Sequence, residues 1–578
     1  MTTMELGTVD TPAAPRLGTR LSAFRLAVGV CVMLVAGLIV YPLIRMAIRV
    51  FYPDGNVSIA AFRDAFELPG IVQTIVNTIF VVACGSVLAT ATALIVAWLN
   101  ERTDARMGWI SDVVPLLPLV IPAIATNIGF VILFSPRTGF GNVWIRAALD
   151  RIGVHVEEGP VDIYSMPVLI IAYSIFLMPL AYLPIAAGLR NLDPAYEEAS
   201  RIAGSGMLRT LRRVTLPAVL PAVISGFLVA SVIGLALFTA PIIIGTPAGI
   251  DVVSVRVFRL LTGEFPPRTG EAIALSTLLL VLIAAIWLVQ RRVNRLGHFA
   301  TISGRARQDG RLELGRWKWL ARGSLLTYVG VTSILPLVAL ITLSFQGFWG
   351  QKIGLDHLSL DNYRTVLFDN DTTRLALTNS VALGVGGATA AVLVTTVVVR
   401  FTYRSRSLAG KLLDGLSKVP ATVSPLIIGV SFVVAFAGDP FRLHGTRAIL
   451  LICYFVLFLP YGSTIISGSY AQVGSDLLES SAVCGASQAR TFRKVELPVL
   501  TPGLVAAWTL LFVLMASELT ASALLTSTRS PVMGSVILDL YVGGSWTQIA
   551  ALSSIMTALV GAVVLIAQLV GRVATRHR

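Results

Sequence analysis

The sequence predicts an all-α polytopic membrane protein of about twelve transmembrane helices, arranged as two homologous six-helix halves. Three observations predict it. The 578-residue chain is 55% hydrophobic and only 13% charged, with a mean hydropathy of +0.80, whereas a soluble domain carries about 25% charged residues. Twelve apolar runs are long enough to cross a hydrocarbon core of ~30 Å at a rise of about 1.5 Å per residue. A polar, basic segment also occurs twice, 281 residues apart (479 − 198).

The runs lie at 22–48, 72–99, 112–134, 162–188, 219–246 and 270–291 in a first half, and at 320–345, 376–401, 414–437, 447–469, 502–526 and 546–570 in a second. In lipid each backbone N–H and C=O must be satisfied within its own segment, so these runs are predicted helices. The organisation is then a tail (1–21), a first half (22–291), a basic linker (292–318), a second half (319–571) and a short tail (572–578). The first run is too long for a cleaved signal and lacks a small-residue cleavage site, so it reads as an uncleaved span.

The net charge of +14 collects in alternate loops. Arg16 and Arg20 precede the first run, Arg102 and Arg106 follow the second, and Arg190 to Arg213 follow the fourth. Arg291, Arg292, Arg295, Arg305, Arg307, Arg311 and Arg316 fill the linker. Arg400, Arg404, Arg406 and Lys411 follow the eighth run, and Arg572, Arg576 and Arg578 end the chain. Positive loops stay in the cytoplasm, which predicts a multi-pass protein with both termini and both repeated segments inside. The basicity thus reports topology and implies no nucleic acid.

The repeated segments span about 194–217 and 475–498. Glu198-Ala199-Ser200, Gly204, Val214, Leu216 and Pro217 match Glu479-Ser480-Ser481, Gly485, Val495, Leu497 and Pro498. The first copy predicts a short helix with acidic residues in its first turn, favourable against the macrodipole. Gly204 is placed to end that helix in the left-handed conformation. A second short helix carrying Arg209, Arg212 and Arg213 then leads to the fifth run. Such a rigid elbow suits insertion into a partner's groove.

Other landmarks repeat at a different offset: Asn77-Thr78 with Asn379-Ser380, and Pro118 with Pro420, both 302 residues apart (379 − 77; 420 − 118). The first half therefore carries 21 extra residues (302 − 281) between Pro118 and Glu198. They fall in the outward loop around 135–162, with Trp144, Arg151, His155 and Glu157-Glu158, against a short counterpart near 438–446. A tolerated insertion and an outward recognition platform both fit.

Glu-Ala-Ala, three residues, Gly, nine residues and Ile-x-Leu-Pro form the "EAA" signature of inner-membrane permeases of binding-protein-dependent ABC importers. Both segments resemble it, with Ser at Ser200, Ser480 and Ser481 and Val at Val214 and Val495. The resemblance implies a type I importer permease fold, with Glu198, Ala199, Gly204, Pro217, Glu479, Gly485 and Pro498 serving to couple it to an ATPase. It implies two copies of a cytosolic ABC ATPase subunit and an extracytoplasmic solute-binding protein as partners, in the inner membrane. The chain contains no GxxxxGK[ST] phosphate loop, so it is read as a transport subunit with no catalytic residue or cofactor of its own.

The stretches Ala97–Asp104, Ser135–Gly139, Gly245–Ile250 and Leu314–Trp319 look most like the fused ferric-iron permeases, with thiamine and aminoethylphosphonate transporters as near relatives. Glu518, placed inside the eleventh run, is the candidate pathway residue, because an ionisable group within a span is costly. Its partner position at the 281 offset is Leu237. Cys31, Cys84, Cys453 and Cys484 form no CxxC pair and the five histidines no cluster, so no metal site is predicted. A membrane enzyme would need clustered acids or histidines at one face. A secondary transporter would need several intramembrane charges, where Glu518 is the good candidate.

Overall fold

In a computed structural model of the chain, the described residues are 23–52, 55–296, 312–350, 358–404 and 408–576. The tail 1–21, with Arg16 and Arg20, lies outside them. So do Arg305, Arg307 and Arg311 of the linker, Arg406, and Arg578. The described residues form helices and no named strand, consistent with the all-α expectation.

Among the described residues ten helices are long and apolar enough to cross a membrane, and counting each of two bent pairs as one span brings the number to twelve. In the first half, span one is Val28–Phe51, span two Ile71–Arg102, span four Met166–Asn191, span five Met207–Ala236 and span six Thr269–Val293. In the second, span seven is Trp317–Ser344, span eight Asp371–Tyr403, span ten Arg447–Tyr470, span eleven Gln488–Ala516 and span twelve Trp546–Leu569. Spans three and nine are not straight. Trp109–Val120 meets Ala123–Phe134 at 86°, and Leu412–Ala421 meets Pro425–Phe436 at 104°. Proline lacks the N–H of an interior helical residue and disfavours helix in the residue before it. Pro122 and Pro425 stand at these breaks.

Two further expectations are corrected. Spans five and eleven do not continue to 246 and 526; they stop at Ala236 and Ala516, and a short broken stretch follows each. The second short helix of each repeated segment is not separate either, because it runs directly into span five or eleven. Each junction passes through a wide turn, Leu211–Thr215 or Phe492–Glu496, where the bond reaches back five residues (Leu216 N–H to the Leu211 carbonyl, Leu497 N–H to that of Phe492). Pro217 and Pro498 each follow two residues after that turn. Gly330–Ile334 before Pro336 in span seven repeats the arrangement. A wide turn makes room for a ring that would otherwise crowd the preceding turn.

The halves interlock by exchanging their first helices. Span one packs mainly on the second half, along Pro425–Phe436 and span eight, and span seven packs on Ala123–Phe134 of the first. Gly129 permits that second contact: a Cβ there would lie 2.5 Å from the Pro336 carbonyl oxygen. In the first contact Tyr41 packs tilted against Phe436 and edge-on to Phe441, with centroids 5.7 and 6.0 Å away.

The 21 extra residues are where the offsets put them. The connection 135–165 has 31 residues and its counterpart 437–446 has 10. The longer one is folded around a helix, Phe140–Arg151. Asn142 binds the carbonyls of Phe134, Ser135 and Val161, and Arg137 pairs with Glu158 at 2.8 Å.

Candidate functional site

The repeated segments meet the structure first as helix ends. The first begins at Pro194, with the Asp193 carboxylate accepting from the Ala195 amide at 2.9 Å. It ends at Ile202, followed by Gly204 at φ +79°. Gly204 N–H reaches the Arg201 carbonyl and Ser205 N–H reaches that of Ser200. The second, Ser475–Val483, ends identically: Gly485 at φ +74° donates to Ala482 and Ala486 donates to Ser481. This is the paired 6→1 and 5→2 closure that glycine admits most cheaply. A cross-link fixes each elbow, Ser200 to Thr210 at 2.9 Å and Ser481 to Thr491 at 2.8 Å between hydroxyls.

Glu198, Ala199, Gly204, Glu479 and Gly485 are exposed on these elbows; Pro217 is exposed and Pro498 half-buried, each ten residues into span five or eleven (217 − 207; 498 − 488). Beside them, large apolar side chains point into solvent at matched positions. Ile202 and Val483 are both 88% exposed, and Tyr196 and Leu477 are 57% and 49% exposed. Apolar groups thus stand outward at matched positions on two glycine-closed elbows.

Sequence reasoning passed over Glu197 and Glu496. Arg102 at the end of span two donates through Nε to Glu197 at 3.0 Å and also through Nη2, while Thr215 donates to the other oxygen at 2.6 Å. In the second half Arg400 donates through Nε to Glu496 at 2.9 Å, and the Tyr470 hydroxyl also donates to that carboxylate. Both carboxylates are buried. The basic residues were legible; their acidic partners, 95 and 96 residues along the chain, carried no local signal.

The repeated Asn77-Thr78 and Asn379-Ser380 hold the broken stretches after spans five and eleven. Asn77 Nδ2 donates to the Asp251 carbonyl and the Thr78 hydroxyl accepts from Val253 N–H. Asn379 Nδ2 donates to the Pro531 carbonyl and the Ser380 hydroxyl accepts from Met533 N–H.

Between the halves lies a cavity of about 220 Å³. Its walls are matched residues of the two halves: Ile121 with Val423, Phe176 with Leu457, Val232 with Val513, Leu237 with Glu518, and Thr239 with Thr520. The placement of Glu518 inside span eleven is corrected. It stands two residues past the end of that helix, where its carboxylate caps the turn Ser522–Leu525. It accepts from Ala521 N–H at 2.8 Å, Ser522 N–H at 2.9 Å and the Ser522 hydroxyl at 2.6 Å. The two amides at the start of that turn would otherwise be buried without partners, and the carboxylate caps them. No group of three or more His, Cys, Asp or Glu able to hold a metal occurs among the described residues.

A duplicated bundle of ten to twelve spans, with a matched pair of elbows and a cavity between its halves, is the architecture of a permease built from two joined subunits. Residues 85–296 and 399–577 match the profile described as "Binding-protein-dependent transport system inner membrane component", and the chain belongs to that family. It is therefore an ABC importer permease, a multi-pass inner-membrane transport subunit. The chain is similar to a ferric transport system permease protein FbpB of Actinobacillus pleuropneumoniae, 24% identical over 545 residues covering 92% of this chain and 76% of that protein. It is 26% identical to the Fe(3+)-transport system permease protein FbpB 2 of Haemophilus influenzae, over 79% of this chain and 82% of that one. A spermidine/putrescine transport system permease protein PotC of Escherichia coli K12 aligns over 96% of its own length but 44% of this chain, at 24% identity. A solved bacterial ABC transporter involved in alginate import aligns with 44% of this chain at TM-score 0.37 and 16% identity.

Proposed function

We propose that this permease passes ferric iron from an extracytoplasmic binding protein to the cytoplasm, driven by two copies of a separate ABC ATPase docked on the repeated elbows. The observation that carries the docking reading is the pair of glycine-closed elbows with matched exposed apolar tips. Glu198, Ala199, Gly204 and Pro217, with Glu479, Gly485 and Pro498, form the two coupling segments. Both termini, both elbows and the linker lie on the cytoplasmic side, as the distribution of Arg and Lys favours. The division at 22–291 and 319–571 follows the repeat.

The matched cavity is the translocation path, and Glu518 belongs to it as the residue that fixes its wall at the break after span eleven. The folded connection 135–165 makes an outward platform on the first half, suited to recognising the binding protein. Iron is favoured by the printed names of the relatives that cover most of the chain.

Replacing Gly204 or Gly485 with Trp is expected to uncouple ATP hydrolysis from uptake or to prevent copurification of the ATPase. Unchanged assembly and transport in both variants would sink the coupling reading. Substrate is tested on the partner binding protein with Fe(III), thiamine and aminoethylphosphonate; tight binding of Fe(III) alone is expected. Tight binding of thiamine or the phosphonate instead would replace iron.

A further inference from the structure

The two elbows match at their tips but not at their roots. At the 281 offset, Glu197 corresponds to Leu478 and Thr215 corresponds to Glu496. The carboxylate that anchors the segment therefore lies on the elbow helix in the first half and at the base of span eleven in the second. The arginines are displaced too. The 302 offset of Asn77 and Asn379 along one uninterrupted helix aligns Arg102 with Arg404, so Arg400 aligns with Trp98, one turn nearer the bundle. Arg102 also donates to the Leu192 carbonyl, just before the elbow helix, whereas Arg400 donates to the Gln488 carbonyl, beyond it. Arg102 thus grips the first elbow helix itself, and Arg400 grips the shaft of span eleven.

A second tie exists in the first half. The end of the inter-half linker lies along the turn after span two: Leu312 N–H donates to the Arg102 carbonyl at 2.8 Å, and Asp104 N–H donates to the Leu312 carbonyl at 3.1 Å. The Asp104 carboxylate accepts from Leu314 N–H at 3.1 Å and pairs with Lys318 at 3.4 Å. Arg322 of span seven donates to the carbonyls of Asp104, Ala105 and Arg106. Position 406, the counterpart of Asp104, is an arginine.

We propose that Arg102, Glu197 and the Asp104-bound linker end form a mount that fixes the first elbow to span two. In the second half Arg400 of span eight holds Glu496 at the base of span eleven instead, so these two arginines meet the two elbows at different points. Arg102, Glu197 and Asp104 are positioning residues in this scheme. The proposal rests on the reading of the elbows as ATPase-coupling segments.

The test uses the full chain assembled with its ATPase in lipid nanodiscs, with Cys484 replaced by Ser. A nitroxide is attached at Ile202→Cys or at Val483→Cys. Arg102→Ala and Asp104→Ala are each expected to raise label mobility at 202 and leave 483 unchanged, and to lower uptake several-fold per ATP hydrolysed. The charge-swapped pair Arg102→Glu with Glu197→Arg guards against simple misfolding and is expected to restore low mobility at 202. Equal mobility changes at both sites, or none at 202, would overturn the mount. If Gly204→Trp leaves ATPase assembly and uptake intact, the coupling reading fails; if it uncouples while Arg102→Ala behaves as the parent, only the mount fails.

Discussion

At the scale of the residue, two glycines of different kinds set different limits. A Cβ at Gly204 would meet nothing within 4 Å, so its constraint is the positive φ alone; an L side chain held left-handed costs about 1–2 kcal/mol. Gly204→Asn is therefore expected to retain most uptake while Gly204→Val loses it, because Asn tolerates that conformation and a β-branched residue does not. Gly129 is the opposite case, where space rather than φ decides. Glu518 supports its turn through three hydrogen bonds. Glu518→Ala should lower the melting temperature in detergent, each orphaned buried amide costing about 1–3 kcal/mol. Glu518→Gln, keeping one acceptor oxygen, should lower it less. An equal loss in both variants would mean that the charge, not the capping, matters. Slight burial of Asp104 works against its charge, but the Leu314 amide and Lys318 ammonium outweigh that and hold its carboxyl below the ordinary value.

At the scale of the element, the wide turns ahead of Pro217, Pro498 and Pro336 recur with one spacing. Removing the ring removes the reason for the turn. Pro217→Ala is expected to let the junction tighten to regular helix, rotating the first elbow against span five, and uptake assays should show a loss with ATPase assembly retained. Twelve spans and both elbows were legible because hydropathy and the repeated Gly and Pro positions are local signals. The 86° and 104° breaks were legible only as kinks: Pro118 and Pro122, and Pro420 and Pro425, signal a bend, but no local feature sets so sharp an angle. The end of span five was hidden because Leu237 and Phe238 are as apolar as the helix before them, whereas Ser517 and Glu518 mark the end of span eleven but read equally well as polar residues within a longer span. The partners of Arg102 and Arg400 could be found only once distant helices were brought together. Asn77 and Asn379 were visible as repeats, but the broken stretches they hold were not.

At the scale of the whole molecule, the exchanged first helices make each half part of the other's core. A protease site inserted within 297–311 should yield two fragments that still copurify in mild detergent, held by spans one and seven. Separation of the fragments on size exclusion would contradict that interlock. The exchange also imposes an order in time. Span one leaves the ribosome with its chief partner, Pro425–Phe436, still some 400 residues unmade; at about 5–20 residues per second that is roughly 20–80 s of waiting. During that interval the newborn helix must shelter against lipid, an insertase or a chaperone, and the nascent first half is most open to membrane proteases.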